Sequence, residues 1–357
     1  MIKRPALLKK VLIIQGIIIL LIVSITPSSG IISQNVSDKT IQDSYSLYVG
    51  GTGPGNFTKI QGAIDFAKNG DTIFVFDDSS PYFENIIIDK SISLVGENRH
   101  TTIIDGMELG NVVEISANHV DISKFTIQNC SKGSSAGLRG STNYSTISNN
   151  NIVYNNWSGL VLKYSHFNKI TGNIIKSNRW LGMYLGTCNN NTISSNTIIS
   201  NINEGFVQYN SQNNIISNNI ISKNEYGIYM LRYCKNNTIA GNIIILNEYG
   251  ICFRETYGKN TIRNNAIRFN TYGISMEYSY SNKIVNNNFV RNVFNAHFDT
   301  YYEHENATNY WNGNYWNRPR ILPKFIWGTE WLESGFNRKF DLEIDRKPAI
   351  LPNRIGE

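Results

Sequence analysis

NTISSNTIISNINEGFVQYNSQN (Asn191–Asn213) runs without a break into NIISNNIISKNEYGIYMLRYCKN (Asn214–Asn236) and then NTIAGNIIILNEYGICFRETYGK (Asn237–Lys259). These are three versions of one unit, and its period of 22–23 residues extends well beyond them. A glycine column runs Gly137, Gly159, Gly182, Gly205, Gly227, Gly250, Gly273, and a β-branched column runs Val153, Ile175, Ile198, Ile221, Ile244, Ile267, Val290. A second isoleucine column runs from Ile147 through Ile170, Ile193, Ile216, Ile239 and Ile262 to Ile284. A fixed period of this length means identical supersecondary units stacked in a row. The apolar runs are too short for helices and rich in Ile and Val, so they read as strands. A unit holds about three short strands plus turns at ~3.3 Å per strand residue, which makes it one coil of a parallel β-helix, about 4.8 Å above the last. The fold class is all-β.

Within each coil, one and three residues beyond the glycine stand apolar side chains (Leu160/Leu162, Met183/Leu185, Ile228/Met230, Ile251/Phe253, Ile274/Met276). Alternation along a strand turns these inward and the residue between them outward. Met183, Met230 and Met276 are therefore core fillers, and Gln208 is the one polar side chain in that inward column, expected to bond to a neighbouring turn asparagine. Three asparagine columns punctuate the coils: Asn168 to Asn282, Asn151 to Asn288 through Asn173, Asn196, Asn219, Asn242 and Asn265, and Asn155 to Asn292. Asparagine tolerates left-handed corners, and stacked amides bond along a ladder.

Both ends depart from the period. Residues 1–30 read as a signal peptide or signal anchor, with Lys3, Arg4, Lys9 and Lys10 ahead of the apolar run Val11–Ile25. Such a run suits a secretory h-region and falls short of the ~20 residues of a comfortable span. Residues 31–46 form a polar linker, and 47–300 the β-helix with its N-terminal cap. There Ile60, Ala63, Ile64 and Ala67 form the apolar face of a helix across Thr58–Lys68, with Thr58 as N-cap. Residues 301–357 are a C-terminal cap and tail: the repeat is expected to fail near 301, Tyr310–Trp316 (YWNGNYW) to cover the last coil, and the chain beyond about 335 to be poorly ordered.

The chain has 357 residues, is only 17% charged and carries a net charge of +6, four units of which precede the first apolar run. From residue 31 to 310 the charges cancel. A neutral body argues against nucleic acid as partner, because counterion release needs clustered cations. The body is read as exported, extracellular or at the cell surface, touching membrane only through its N-terminal segment. Cys188 and Cys234 stand two coils apart, beyond the ~7 Å limit for a bridge, so no disulfide is expected. Several Asn-x-Ser/Thr sequons (among them Asn56, Asn129, Asn143, Asn156, Asn190, Asn236 and Asn306) occur in an Asn-rich repeat in which most such triplets arise by chance.

YVGGTGPGNFTKIQGAIDFAKNGDTIFVF followed by YFENIIIDKSISLVGENRHTTIIDG resembles the start of NosD-like, pectin-lyase-like right-handed β-helix proteins. The repeat core and the closing NYWNGNYW are similar to the exported archaeal members, and the resemblance covers roughly residues 47–320. It implies a single-stranded right-handed β-helix. The activities it brings with it are diverse: polysaccharide lyases and hydrolases, a periplasmic accessory protein of copper delivery, and surface proteins without assigned chemistry.

Lyases on such a scaffold pair Asp-bound calcium with a basic residue, and hydrolases cluster carboxylates. No aspartate occurs between residues 122 and 298. The candidate catalytic groups are Glu225 with Glu248, equivalent in consecutive coils and hence about 5 Å apart, and Arg254 with Glu277. Acids repeated in register also arise as solvated surface charges. Tyr184, Tyr209, Tyr229 and Tyr233 are the candidate ligand-binding residues, aromatic on a long neutral face suited to sugar rings or a docking partner. The five histidines share no ligand spacing, so no metal site is expected, and no cofactor, with Ca²⁺ considered only for a lyase. The leading reading is an exported surface protein that binds glycan or cell-envelope partners without catalysis. The alternative is a polysaccharide lyase or glycoside hydrolase, with NosD-like copper handling behind both.

Overall fold

A computed structural model describes residues 45–301, 308–331 and 338–355 of the chain. The N-terminal hydrophobic segment, His304 and Asn306 lie outside the described residues. Within them no helix is long and apolar enough to cross a membrane.

Each coil contributes three strands, as in Ser158–Lys163, Lys169–Thr171 and Ile174–Lys176, before Met183–Gly186 opens the next coil. Strands stack on the coil above in strict parallel register: Leu160 on Met183, Ile170 on Ile193, Ile175 on Ile198. The ladder running from Tyr82–Phe83 to Tyr315–Trp316 has 11 strands, one for each turn of the right-handed parallel β-helix. The column from Ile147 to Ile284, the column from Ile175 to Ile267 and the residues one and three beyond glycine are fully buried, including Met183, Met230 and Met276, while at the ends of the second column the register places Ile152 and Phe289 inward rather than Val153 and Val290. Each such side chain contributes about 1.5–3 kcal/mol of apolar burial. All four cysteines are free and buried.

The asparagine columns are buried ladders that carry the corners. Asn173 donates from its N–H (3.0 Å) and Nδ2 (3.0 Å) to Asn196 Oδ1 in the next coil, while its Nδ2 also reaches back to the Ile147 carbonyl at 2.8 Å. The second ladder begins at Asn150 and passes through Asn287, not Asn151 and Asn288. Alternation explains the shift: a ladder amide has to point inward at the corner, and the next residue, which opens the strand, points out. Left-handed backbone also falls elsewhere than expected, on the residue before each ladder asparagine (Asn190, Ser195, Asn213, Asn218, Asn236). Gln208 donates at 3.0 Å to the Ser211 carbonyl rather than to a ladder amide.

The N-terminal helix spans Ile60–Phe66, with Lys59 rather than Thr58 at the N-cap position and no side-chain cap of its own. The Glu84 carboxylate takes that role from the strand side, accepting from the N–H of Ile60 (2.8 Å) and Gln61 (3.0 Å). This is favourable, because the first turn of a helix leaves donors unpaired.

At the other end the repeat outlasts its expected limit. Tyr310–Asn312 and Tyr315–Trp316 form a further rung, pairing with Lys283–Val285 and Asn288–Val290. Lys324–Trp331 then adds a strand parallel to Phe294–Tyr301, and Arg338–Asp345 pairs antiparallel with it. The chain beyond 335, expected to be loose, thus closes the helix. The period hid this because the last rung is reached through longer connections, 27 residues between Asn282 and Asn309 in place of 22–23.

Candidate functional site

The long glycine-bearing strands present three outward rows, set by the strand alternation and kept in line by the parallel register. The first row stands beside the glycine position and reads Glu204, Tyr226, Tyr249, Tyr272, Phe294. Its rings stack along the solenoid axis with centroids 4.7, 4.8 and 5.1 Å apart and planes within 18°. Tyr229 adds a further stack on Tyr226 at 4.9 Å. Rings that cover each other's faces offer only edges and hydroxyls to solvent, so this row is a wall rather than a platform for sugar rings. Burial raises the hydroxyl pKa of Tyr226 and Tyr249 above the ordinary tyrosine value.

The second row, two beyond the glycine, reads Val161, Tyr184, Val207, Tyr229, Cys252, Ser275, His297. The third, four beyond, reads Lys163, Gly186, Tyr209, Leu231, Arg254, Glu277, Asp299 and ends on Thr329. Beyond Tyr229 the second row carries the small side chains Cys252 and Ser275 before His297. The face holds a trough of about 670 Å³ lined by Tyr272, Phe294, Ser275, Glu277, His297, Trp327 and Lys324, among others.

The acids lining the trough and His297 are already engaged with partners. Glu277 pairs with Arg254 at 3.5 Å. Asp299 accepts from Thr329 and lies 3.3 Å from His297 Nε2. The Asp299 hydrogen bond raises the His297 pKa above the usual histidine value against the opposing effect of burial, and the Trp327 carbonyl adds to it. Burial, with Arg320 nearby, lowers the Lys324 ammonium pKa.

The sequence-derived candidates are distributed unevenly about this feature. Glu277 lines it, and its ion-pair partner Arg254 stands one coil earlier, outside the lining. Tyr229 lies two coils before Ser275 on the second row, also outside the lining; it hydrogen-bonds Arg254, and burial is the main cause of its raised hydroxyl pKa. Tyr184 and Tyr209 continue the same face toward earlier coils, while Tyr233 is exposed on the adjoining corner beside Tyr257. Glu225 and Glu248 are adjacent in register but sit exposed on the opposite corner, outside the trough. Sequence reasoning missed His297, Asp299, Trp327, Thr329 and Lys324 as one group. The signal existed in part: in FNAHFDT (Phe294–Thr300) Asn295 replaces the column glycine and the apolar alternation continues. The strand carrying Trp327 and Thr329 has no counterpart in the repeat.

Among the described residues the donor chemistry does not fit a copper centre. His119 stacks on Tyr144, His166 accepts from the Asn189 N–H at 3.1 Å, and His100 lies against Arg99. Burial pushes the Cys188 and Cys234 thiols up to about 11 and about 12, far from the thiolate a soft metal needs. Among the described residues no three His, Cys, Asp or Glu side chains converge on a metal position.

A family model described as periplasmic copper-binding protein (NosD) matches residues 64–248 and 230–320. No curated protein matches the chain significantly in sequence. Among solved structures, the chain is similar to pectate lyase Pel9A, with 14% identity, a TM-score of 0.52 and coverage of 70% of this chain and 76% of that one. It is similar also to the DFA-IIIase of Arthrobacter chlorophenolicus A6, with 12% identity, a TM-score of 0.50 and coverage of 80% and 84%. The mannuronan C-5 epimerase AlgE6 A-module of Azotobacter vinelandii aligns at 14% identity and a TM-score of 0.47, over 73% of this chain and 95% of that one. At these identities the likeness concerns the fold alone.

Proposed function

The chain belongs to the NosD family, and from that premise we propose that it is an exported β-helix protein that binds a glycan or cell-envelope polymer, without catalysis, in the trough over Ser275. One observation carries this reading: the trough joins an exposed indole and a phenyl ring to a polar floor whose charges are paired with one another. Concave sites that combine apolar walls with a few fixed polar groups are the usual shape of a ligand site. Catalytic groups need a free proton donor or acceptor aimed at the substrate, whereas Glu277 and Asp299 are both occupied. Tyr229, Tyr209 and Tyr184 extend the face along the axis and would meet a longer polymer. Family membership supports an extracytoplasmic location.

The alternative, cleavage as by a lyase or hydrolase, is favoured by one feature: Glu277 and Asp299 are register partners in the trough, so their carboxylates lie about one rung, ~4.8 Å, apart. Calcium would enter only under this reading. A polysaccharide array on residues 31–357, scored for retention and for new reducing or unsaturated ends, separates the two. We expect retention without new ends, lost at least tenfold in Trp327→Ala and less in Tyr184→Ala. New ends that vanish in Glu277→Gln would establish cleavage. Retention unchanged in Trp327→Ala, Tyr229→Ala and Tyr209→Ala alike would remove the trough and its tyrosines as the binding site.

A further inference from the structure

The structure separates the sequons that the sequence could not rank. Asn56 Nδ2 donates at 2.6 Å to the Gly50 carbonyl, and Asn129 Nδ2 donates at 2.7 Å to Asp105. Asn143 Oδ1 accepts at 2.7 Å from the His166 N–H, and Asn156 is buried. Asn190 and Asn236 differ from all four. Both are exposed, both sit at left-handed corners (φ 58° and 55°), and neither side-chain amide bonds to anything among the described residues. They occupy equivalent positions two coils apart, with Asn213 between them, on the corner that follows the glycine strand. Each is followed by a buried ladder asparagine (Asn191, Asn237) and by a half-buried threonine opening the next strand (Thr192, Thr238), so the triplet Asn-Asn-Thr is presented on a protruding turn.

A second observation points to sugar at the same corner. In the three coils before Asn190 the equivalent positions are His119, Tyr144 and Phe167, whose rings stack at 5.3 and 5.0 Å with planes within 9°. The stack stops at Phe167, which is half exposed. The ring face turned toward the next coil has no aromatic neighbour, because Asn190 takes that place, with Phe167 donating from its N–H to the Asn189 carbonyl at 3.2 Å. An apolar ring face about one rung, ~4.8 Å, from an asparagine amide suits the first sugar of a glycan attached there.

We propose that Asn190 and Asn236 are acceptor sites for N-linked glycans. In the reaction a bond forms between Nδ2 and the anomeric carbon of an oligosaccharide. The bond from that carbon to the phosphate oxygen of a lipid-linked donor breaks, its electron pair leaves with the phosphate, and the amide proton passes to a base of the transferase. The inference rests on the export reading but not on the trough. Asn156 is buried, and the Asn143 amide is held through its oxygen by the His166 N–H, so both are expected to remain unmodified.

The test is peptide mass spectrometry on the protein recovered from the extracytoplasmic fraction of the cells that naturally make it. Carbohydrate mass on the peptides holding Asn190 and Asn236, removed one at a time by Asn190→Gln and Asn236→Gln with the unfolding temperature of the unglycosylated chain unchanged, is the expected result. Both asparagines unmodified in that fraction, or sugar on Asn56, Asn129, Asn143 or Asn156, overturns the proposal. Recovery of the protein only from the cytoplasm overturns it together with the export reading, whereas failure of glycan retention in the trough leaves it standing.

Discussion

The middle coils and the C-terminal end satisfy one requirement with different side chains. In the middle, each ladder asparagine donates forward from its N–H and Nδ2 into the next coil's amide oxygen, as Asn196 does to Asn219 at 2.9 and 3.0 Å. This direction never reverses, so the last rung is left with donors and no amide to receive them. Asn309 gives its N–H (2.7 Å) and Nδ2 (3.2 Å) to Glu343, and Asn314 gives its own, both at 3.1 Å, to Asp345. The Trp311 indole N–H also donates to Glu343, and that of Trp316 to Asp345 at 3.0 Å. Carboxyl oxygens accept, which is what a surplus of donors needs. Repetition solves the problem inside, and accepting carboxyl oxygens solve it at the end, as those of Glu84 do for the helix at the opposite end. A solenoid can be terminated by a change of residue type at a conserved geometric position rather than by a separate capping domain.

The comparison breaks most visibly if the middle is cut. Asn219→Ala removes the acceptor for two Asn196 donors and the donor to Asn242 Oδ1 and the Ile193 carbonyl, all buried. At about 1 kcal/mol for each of the four buried hydrogen bonds lost, the loss is about 4 kcal/mol in urea denaturation. Asn218→Ala, one residue away on the left-handed corner, is expected to cost far less. Equal losses would mean the corner conformation, not the amide ladder, holds the coils. Asp345→Ala leaves three buried donors unpaired and is expected to cost about 3 kcal/mol on the same scale. Its signature is local: hydrogen exchange should speed up along Lys324–Trp331 and Arg338–Asp345 while the middle coils keep their protection. Uniform acceleration would show that the end is not a separate unit of stability.

Glu343 sharpens the comparison through pH. Burial raises the Glu343 pKa from 4.5 to about 7, outweighing the Asn309 and Trp311 donors that lower it. The folded protein therefore holds a proton that the unfolded chain releases above about pH 4.3. The corresponding stability is fully present below that value and is lost as pH rises through about 7. His297 acts with the same sign, since Asp299 raises it: its contribution is present below its ordinary pKa of 6.5 and fades as pH rises through the higher folded value. We expect the unfolding free energy to fall by about 2 kcal/mol from pH 5 to pH 8, and the fall to be shallower in Glu343→Gln. A curve that rises over this range would assign the ladder ends to an ionised Glu343.

Most of the fold was legible because it is periodic. The glycine and isoleucine columns specify coil length, inward face and register at once, and Met183, Met230 and Met276 land where alternation places them. What escaped was set by single events without a repeat. The one-residue error at Asn150 and Asn287 arose because two adjacent asparagines fit the column and only the inward direction tells them apart. The C-terminal hairpin escaped because Glu343 and Asp345 resemble ordinary surface acids until Asn309 and Asn314 are placed beside them. The trough was half visible: Glu277, with Arg254 and Tyr229 on the coils before it, follows from the period, whereas Trp327 and Thr329 come from a strand reached through an aperiodic connection.

The outer ring ladder offers the mildest contrast with the inner amide ladder. Tyr249 stacks between Tyr226 and Tyr272 at 4.7 and 4.8 Å, yet it remains half exposed and burial has only raised its hydroxyl pKa. Tyr249→Leu keeps an apolar side chain and removes two ring–ring contacts, each about 0.5–1.5 kcal/mol. No buried donor is orphaned, so the expected cost is about 1–2 kcal/mol, well below that of Asn219→Ala. Because Tyr249 also lines the trough, glycan retention should fall along with the wall while the far corner at Asn190 is unaffected. A loss as large as that of the ladder asparagine would mean that the stacked rings outside, and not only the amides inside, hold successive coils in register.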